Sequence, residues 1–409
     1  MSRIDELIKK MCPNGVEFRA IGEIAECLSG ATPSSREAKY WDGGTIPWMS
    51  SGEVNKGLVF DTEKKITQAG FDSCSTKMIP PNAVVIALAG QGKTRGTVAR
   101  TRISLCTNQS LCSIVCGEEV NSDFLYYFLA TQYQNLRSLS AGDGGRGGLN
   151  LQMIRGYLAP LPPIEVQREI VKILDKFTQL EAELEAELEA RRGQYTYYRD
   201  ALLTFGEHDR AVRWTTLGEI ASVVRGASPR PIQSFLTKSK DGIPWIKIGD
   251  VATSGKFITQ TAEFVTIAGA EKSRLVKPGD FVLSNSMSFG RPYISKIEGC
   301  IHDGWLAISS FQASFLPDFL YHLLRCAPIQ NEFSRRAGSG TVRNLNADIV
   351  KSLLVPVPLL EEQARIVAIL DKFDALVNDI STGLPAEIKA RRQQYEHYRD
   401  RLLSFKEAA

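Results

Sequence analysis

The sequence contains no CxxC pair and only eight cysteines among 409 residues. The nearest neighbours are Cys106, Cys112 and Cys116. That spacing excludes a disulfide scaffold and argues against a structural zinc site, so the thiols read as small buried groups in a reducing cytoplasm. Long apolar runs are missing too, and none approaches the roughly 20 residues a membrane helix needs. The opening MSRIDELIKKMCPNG carries acids where a secretory leader would be apolar, so no export is expected. Histidines are few and scattered, at His208, His302, His322 and His397, with no HExxH and no ligand spacing, so no metal site is expected. There is no G-x-S-x-G elbow, no G-x-G-x-x-G opening a helix and no nuclease-type carboxylate cluster; His302-Asp303 reads as a local hydrogen-bonded pair. The lack of any catalytic constellation favours a binding and scaffolding protein.

An excess of one charge is also missing. The net charge of +3 does not by itself imply a polyanion partner. Its distribution says more: residues 1–162 carry +2, 163–205 carry −3, 206–358 carry +5 and 359–409 carry −1. Two basic blocks alternate with two acidic ones, and the basic blocks are the better candidates for a polyanion surface.

What the sequence does have is an internal repeat. FRAIGEIAECLSGATP (Phe18–Pro33) returns 196 residues later as WTTLGEIASVVRGASP (Trp214–Pro229). Ile46-Pro47-Trp48 returns at Ile243, FLYYFL (Phe124–Leu129) as FLYHLL (Phe319–Leu324), and ILDKF (Ile173–Phe177) unchanged at Ile369–Phe373. RRGQYTYYRDALLTF (Arg191–Phe205) returns as RRQQYEHYRDRLLSF (Arg391–Phe405). A period this long excludes a solenoid and implies a duplicated module, a globular block followed by a charged segment.

The charged segments read as long helices. From Pro163, apolar residues fall on an alternating 4-3 seam from Ile170 to Phe205, with Glu181 and Arg191 on the seam and Gly206 expected as the stop. The second runs on a like seam from Ile366 to Phe405, with a kink or restart expected at Gly383-Leu384-Pro385. The globular blocks hold short β-rich runs such as AVVIAL (Ala83–Leu88) and FVLSNS (Phe281–Ser286) between Gly, Pro and Asn turns. The fold class expected is α+β, with a twisted, largely antiparallel sheet in each block. The proline-preceded Trp48 and Trp245 read as domain core.

One motif invites an enzymatic reading. ALAGQGKT (Ala87–Thr94) fits a relaxed phosphate-loop pattern, but such a loop needs a helix straight after Lys-Thr, and RGTVARTR reads as turn then strand. The corresponding SNSMSFGRPYIS (Ser284–Ser295) has no such motif. Both copies instead share a glycine-bracketed basic loop, with Lys93 and Arg95 in one and Arg291 in the other. A second shared loop, GDGGRGGLN against GSGTVRNLN, carries Arg146 and Arg343. Glycine lets backbone approach a phosphate, and arginine reads guanine edges bidentately, so these residues, with Lys247 and Asn285, are the candidate DNA contacts.

The helical motifs P-L-P-P-I-E-x-Q, I-L-D-K-F and R-R-x-Q-Y-x-x-Y-R-D-x-L-L-[ST]-F, flanking two variable α/β blocks, resemble the specificity subunit of type I restriction–modification systems over essentially the whole chain. Val166 departs from the glutamate usual there, while its mate Glu362 keeps it. The resemblance implies two target-recognition domains, 1–159 and 207–356, each reading half of a bipartite double-stranded DNA site. It implies that the spacer helices, 160–206 and 357–409, pair as an antiparallel coiled coil. It further implies docking of two methyltransferase subunits and, through them, restriction subunits. This chain would carry no cofactor of its own, and S-adenosylmethionine, ATP and Mg²⁺ would belong to the partners. The alternatives are an ATPase at Ala87–Thr94 and a coiled-coil adaptor that does not read sequence.

Overall fold

The computed structural model describes all residues except 1–2, 91–93, 140–147, 207–210, 240, 252–254, 287–288, 338–343, 380 and 409. The chain forms two compact units, Met1–Ala182 with Ala390–Ala409, and Glu183–Lys389. Each unit therefore holds one globular domain, the head of one spacer helix and the tail of the other.

In the first domain a five-stranded sheet runs in the order Ala25–Ser29, Leu111–Cys116, Val84–Ala87, Val98–Thr101, Leu58–Val59, antiparallel except for the last pair. The central strand is buried along its length, which is why it reads as an unbroken apolar run. Its alternate side chains part to two cores. Val84 and Ile86 pack with the helix Ser122–Thr131 and the head of the spacer helix, and Val85 and Ala87 with Met49, Val54 and Leu105. The second domain repeats this order with Ser222–Arg225, Trp305–Ser309, Phe281–Ser284, Pro292–Ser295 and Phe257–Ile258. A smaller sheet accompanies each, three-stranded in the first unit and five-stranded in the second. Trp48 and Trp245 lie in the cores of these smaller sheets, buried, as expected.

The first spacer helix is unbroken for 39 residues, Ile164–Leu202. It stops short of Gly206, so that glycine is not its terminator. The second is two pieces, Leu360–Asn378 and Leu384–Leu402. The break falls where Gly383-Leu384-Pro385 predicted it. The Asp379 carboxylate accepts from the Ser381 amide at 2.7 Å, and a side chain at Gly383 would meet the Ala375 carbonyl at 2.5 Å. Pro385 then sits in the first turn of the new piece, where its missing N–H costs nothing.

Within each unit the two repeated helical motifs meet. In the first, Phe177 of ILDKF stacks on Tyr398 at 5.5 Å, and Glu181 pairs with Arg392 at 2.5 Å. The partner number falls as the first rises, so the strands of the coil are antiparallel. In the second, Phe373 stacks on Tyr198 at 5.4 Å. A fully buried glutamine fastens each helix head to its domain. Gln167 donates to the Glu119 and Pro162 carbonyls at 2.9 and 2.8 Å and accepts from the Asn121 amide at 2.8 Å. Gln363 does the same with Ser314, Pro358 and Leu316 at 2.8, 2.9 and 2.9 Å.

Candidate nucleic-acid interface

Of the candidate contacts, Arg95, Asn285 and Arg291 lie where the central strand of each large sheet runs out into its hairpin. In the first domain, Val84–Ala87 and Val98–Thr101 form a hairpin, closed by the Ala87 amide to the Thr97 carbonyl at 3.0 Å and the Gly96 amide to the Ala87 carbonyl at 2.9 Å. Gly96 has φ +81°, which a glycine takes without strain. A strand, not a helix, follows Thr94, so the helix N-terminus a phosphate loop requires is absent and the ATPase alternative loses its structural basis.

The second domain closes its hairpin in the same way, with Ser284 N to Arg291 O at 3.0 Å and Gly290 N to Ser284 O at 2.9 Å; Gly290 has φ +68°. This pairing corrects the alignment of basic residues. Arg291 corresponds in register to Thr97, outside the loop proper, and is not the counterpart of Lys93 or Arg95. The loop between the closing bonds is eight residues in the first domain and five in the second, a difference that similar composition conceals.

The described segments that flank the two glycine-bearing loops of each copy meet. The Leu149 amide donates to the Leu88 carbonyl at 3.1 Å, and the Leu345 amide to the Asn285 carbonyl at 2.9 Å. Two segments more than 50 residues apart thus leave each domain side by side. Lys93, Arg146 and Arg343 lie outside the described residues. Arg95 is half-buried in the hairpin turn, its amide donating to the Gly90 carbonyl at 3.3 Å. Arg291 is half-buried, with its guanidinium 5.9 Å from the Tyr293 ring, and it lines a cavity of about 470 Å³ with Phe289, Pro292, Arg325 and Gln330.

Two candidates have partners within their own domain. Asn285 is 3% exposed, and its Nδ2 donates to the Asp303 carbonyl at 2.9 Å. It ties the loop to the His302–Trp305 turn, and its buried amide is not presented to a duplex. Lys247 follows a strand of the smaller sheet, and its Nζ is 2.8 Å from Glu263. His302 and Asp303 do not bond to each other, being 3.9 Å apart. The His302 Nδ1 instead accepts the Gly304 amide at 2.9 Å, and burial lowers its pKa. The motif reading also passed over Arg100, Lys256 and the aspartates they bridge, although ILDKF held two of those carboxylates in plain view. Among the described residues no group of three or more His, Cys, Asp or Glu could hold a metal ion, and no helix is long and apolar enough to cross a membrane.

Two copies of one α/β domain, each fastened to a paired helical spacer and each joining the flanks of two glycine-rich segments at one sheet end, define a two-module recognition protein. The family model for the type I restriction modification DNA specificity domain matches residues 13–190 and again 212–390. The chain belongs to that family and is a DNA sequence-specificity subunit, with two domains for a bipartite site. It is 32% identical to the EcoR124I/EcoR124II specificity subunit of Escherichia coli, covering 99% of this chain and 98% of that one. It is 33% identical to a putative type I restriction enzyme specificity subunit of Haemophilus influenzae, covering 95% and 96%. Among solved structures, a chain from work on assembly and conformational transition of the type I R-M system superposes with a TM-score of 0.69 at 19% identity, over 96% of this chain and 98% of that one. The HsdS subunit from Thermoanaerobacter tengcongensis superposes with 0.55 at 19%, over 96% and 97%.

Proposed function

We propose that this chain supplies sequence and spacing to a complex whose chemistry lies on other subunits. Two methyltransferase subunits dock on it, restriction subunits join through them, and S-adenosylmethionine, ATP and Mg²⁺ are held by those partners. The observation that carries the reading is the duplication itself. Two copies of one domain, each on its own pair of helical segments, suit two partner copies and two DNA half-sites, and the copies are free to diverge. A helical coil fixes separation where a flexible linker would not.

The spacer makes the reading testable. Glu181–Leu188 is EAEL twice over, within the unbroken helix. A further unit adds about 6 Å, nearly two base pairs at roughly 3.4 Å each, while nearly preserving the apolar face. A third EAEL after Leu188 lengthens the unread gap by about one to two base pairs and leaves both half-sites intact. Mapping methylated adenines in cells carrying the insertion checks this; an unchanged gap or an altered half-site defeats the spacer role. The purified chain alone transfers no methyl group and cuts no DNA, and methylation appears on adding the methyltransferase subunit.

A further inference from the structure

The aspartate of the repeated ILDKF segment does the same thing in both units by different means. In the first unit, Asp175 on the spacer helix accepts from Arg100 Nη2 at 3.0 Å and from the Tyr127 hydroxyl at 2.5 Å. The other arm of the guanidinium, Nη1, lies 3.0 Å from Asp123, at the start of the domain helix Ser122–Thr131. Arg100 is 8% exposed. Burial works against its charge, but Tyr127, Asp123 and Asp175 outweigh that and raise its pKa.

In the second unit, Lys256 stands 2.7 Å from Asp318 and 3.2 Å from Asp371. Asp318 occupies the place of Asp123, Asp371 that of Asp175, and His322 that of Tyr127. His322 Nε2 donates to Asp371 at 2.8 Å, and the Tyr195 hydroxyl donates to Nδ1 at 3.1 Å. Each unit thus holds one cation between a domain carboxylate and a spacer carboxylate.

The cations come from different strands. Arg100 lies within Val98–Thr101, whereas Lys256 precedes Phe257–Ile258. The backbone fixes the correspondence: Arg100 N donates to Gly57 O at 2.8 Å, and Ile294 N to Lys256 O at 2.9 Å. Gly57 and Arg100 in one copy therefore answer to Lys256 and Ile294 in the other. The cation has crossed to the neighbouring strand, its old place has become apolar, and both carboxylates have stayed. Divergence of the donor with retention of the bridge points to a requirement on the bridge.

We infer that Asp175 and Asp371 are positioning residues that lock each recognition domain at a fixed angle on its spacer helix, and that the gap length the protein accepts depends on this lock. The buried glutamine pins the head of each helix, and apolar packing beyond it allows small tilts; a cation within about 3 Å of a carboxylate on each body does not. The inference rests on the bipartite reading above. The test uses the complex assembled with methyltransferase subunits, on duplexes carrying the native half-sites at the native gap and at gaps one base pair shorter and longer. Asp371→Asn and Lys256→Met each lower the ratio of native-gap to off-gap methylation by about tenfold, with base preference inside the second half-site unchanged. Lys256→Gly with Ile294→Arg, which imports the first unit's arrangement, restores the ratio to within about threefold. An unchanged ratio in the single variants overturns the lock, as does an equal loss at every gap that tracks a lowered melting temperature. So does failure of rescue in a folded double variant; if that variant does not fold, the two single variants decide alone. A wild-type complex indifferent to gap length would instead remove the bipartite reading.

Discussion

The two units share their fastenings and differ in their reach. Buried glutamines and Phe–Tyr stacks between the repeated motifs recur almost unchanged, with stacks of 5.5 and 5.4 Å. The hairpin loop differs by three residues, the smaller sheet has three strands in one unit and five in the other, and the bridging cation changes identity and strand. What has been kept is how a domain is attached; what has been released is what it presents. Attachment is a constraint between fixed bodies, while a presenting surface answers only to its target.

The strongest test of sameness is the glutamine staple. Gln167→Ala and Gln363→Ala each strand two buried carbonyls and one amide, which costs the unit concerned about 3 kcal/mol. Hydrogen exchange resolved by domain reads each value, and unequal losses break the equivalence. The cations should separate the units by a smaller margin. Both cations lie over two rings, Arg100 at 5.0 and 5.1 Å and Lys256 at 4.9 and 5.6 Å, but Arg100 is the more deeply buried and spreads its charge over two forked contacts, so Arg100→Met costs about 2–3 kcal/mol and Lys256→Met about 1–2.

Acid should divide them further. Burial pushes the pKa of His322 down, outweighing the Asp371 hydrogen bond that raises it. The unfolded chain then binds the proton more readily than the folded one. The neutral ring's contribution is full above about pH 6.5 and is lost as pH falls below it. Asp371 itself is depressed: burial raises its pKa, but His322 and Lys256 outweigh that, so its contribution fades at still lower pH. Tyr127 fills the same place in the first unit and does not titrate there. Between pH 7 and 5 the second unit should lose protection while the first holds, and His322→Tyr should narrow the difference, leaving the part due to His302, whose pKa burial also lowers. The smallest effect belongs to the exposed Glu181–Arg392 pair, where Glu181→Ala should shift the melting midpoint by no more than about 0.5 kcal/mol equivalent.

Much of this was legible because it is local. Heptad spacing marked the helices, Gly383 and Pro385 the break, and Gly96 with Thr97 and Val98 a turn and strand in place of a phosphate loop. The convergence of Leu149 on Leu88 and the crossing of the cation from strand to strand were not, since they depend on register between distant segments. Matching Arg291 to Lys93 and Arg95 failed because composition aligned loops of unequal length. The inward turn of Asn285 was not legible, because a polar residue after a strand can serve either a surface or a neighbouring turn. His302-Asp303 failed because adjacency does not set side-chain direction; Gly304 reached the ring first.

The division of the bridge between domain and helix has a consequence for heredity. To the ion bridge the spacer contributes the acid, in a segment identical in both copies, and the domain brings its own base. A recombination event that exchanges the domain-coding stretch therefore needs no matching change in the helix, provided the incoming domain carries a cation on either of two neighbouring strands. For this bridge the helix is a common socket, indifferent to which of two neighbouring strands carries the cation.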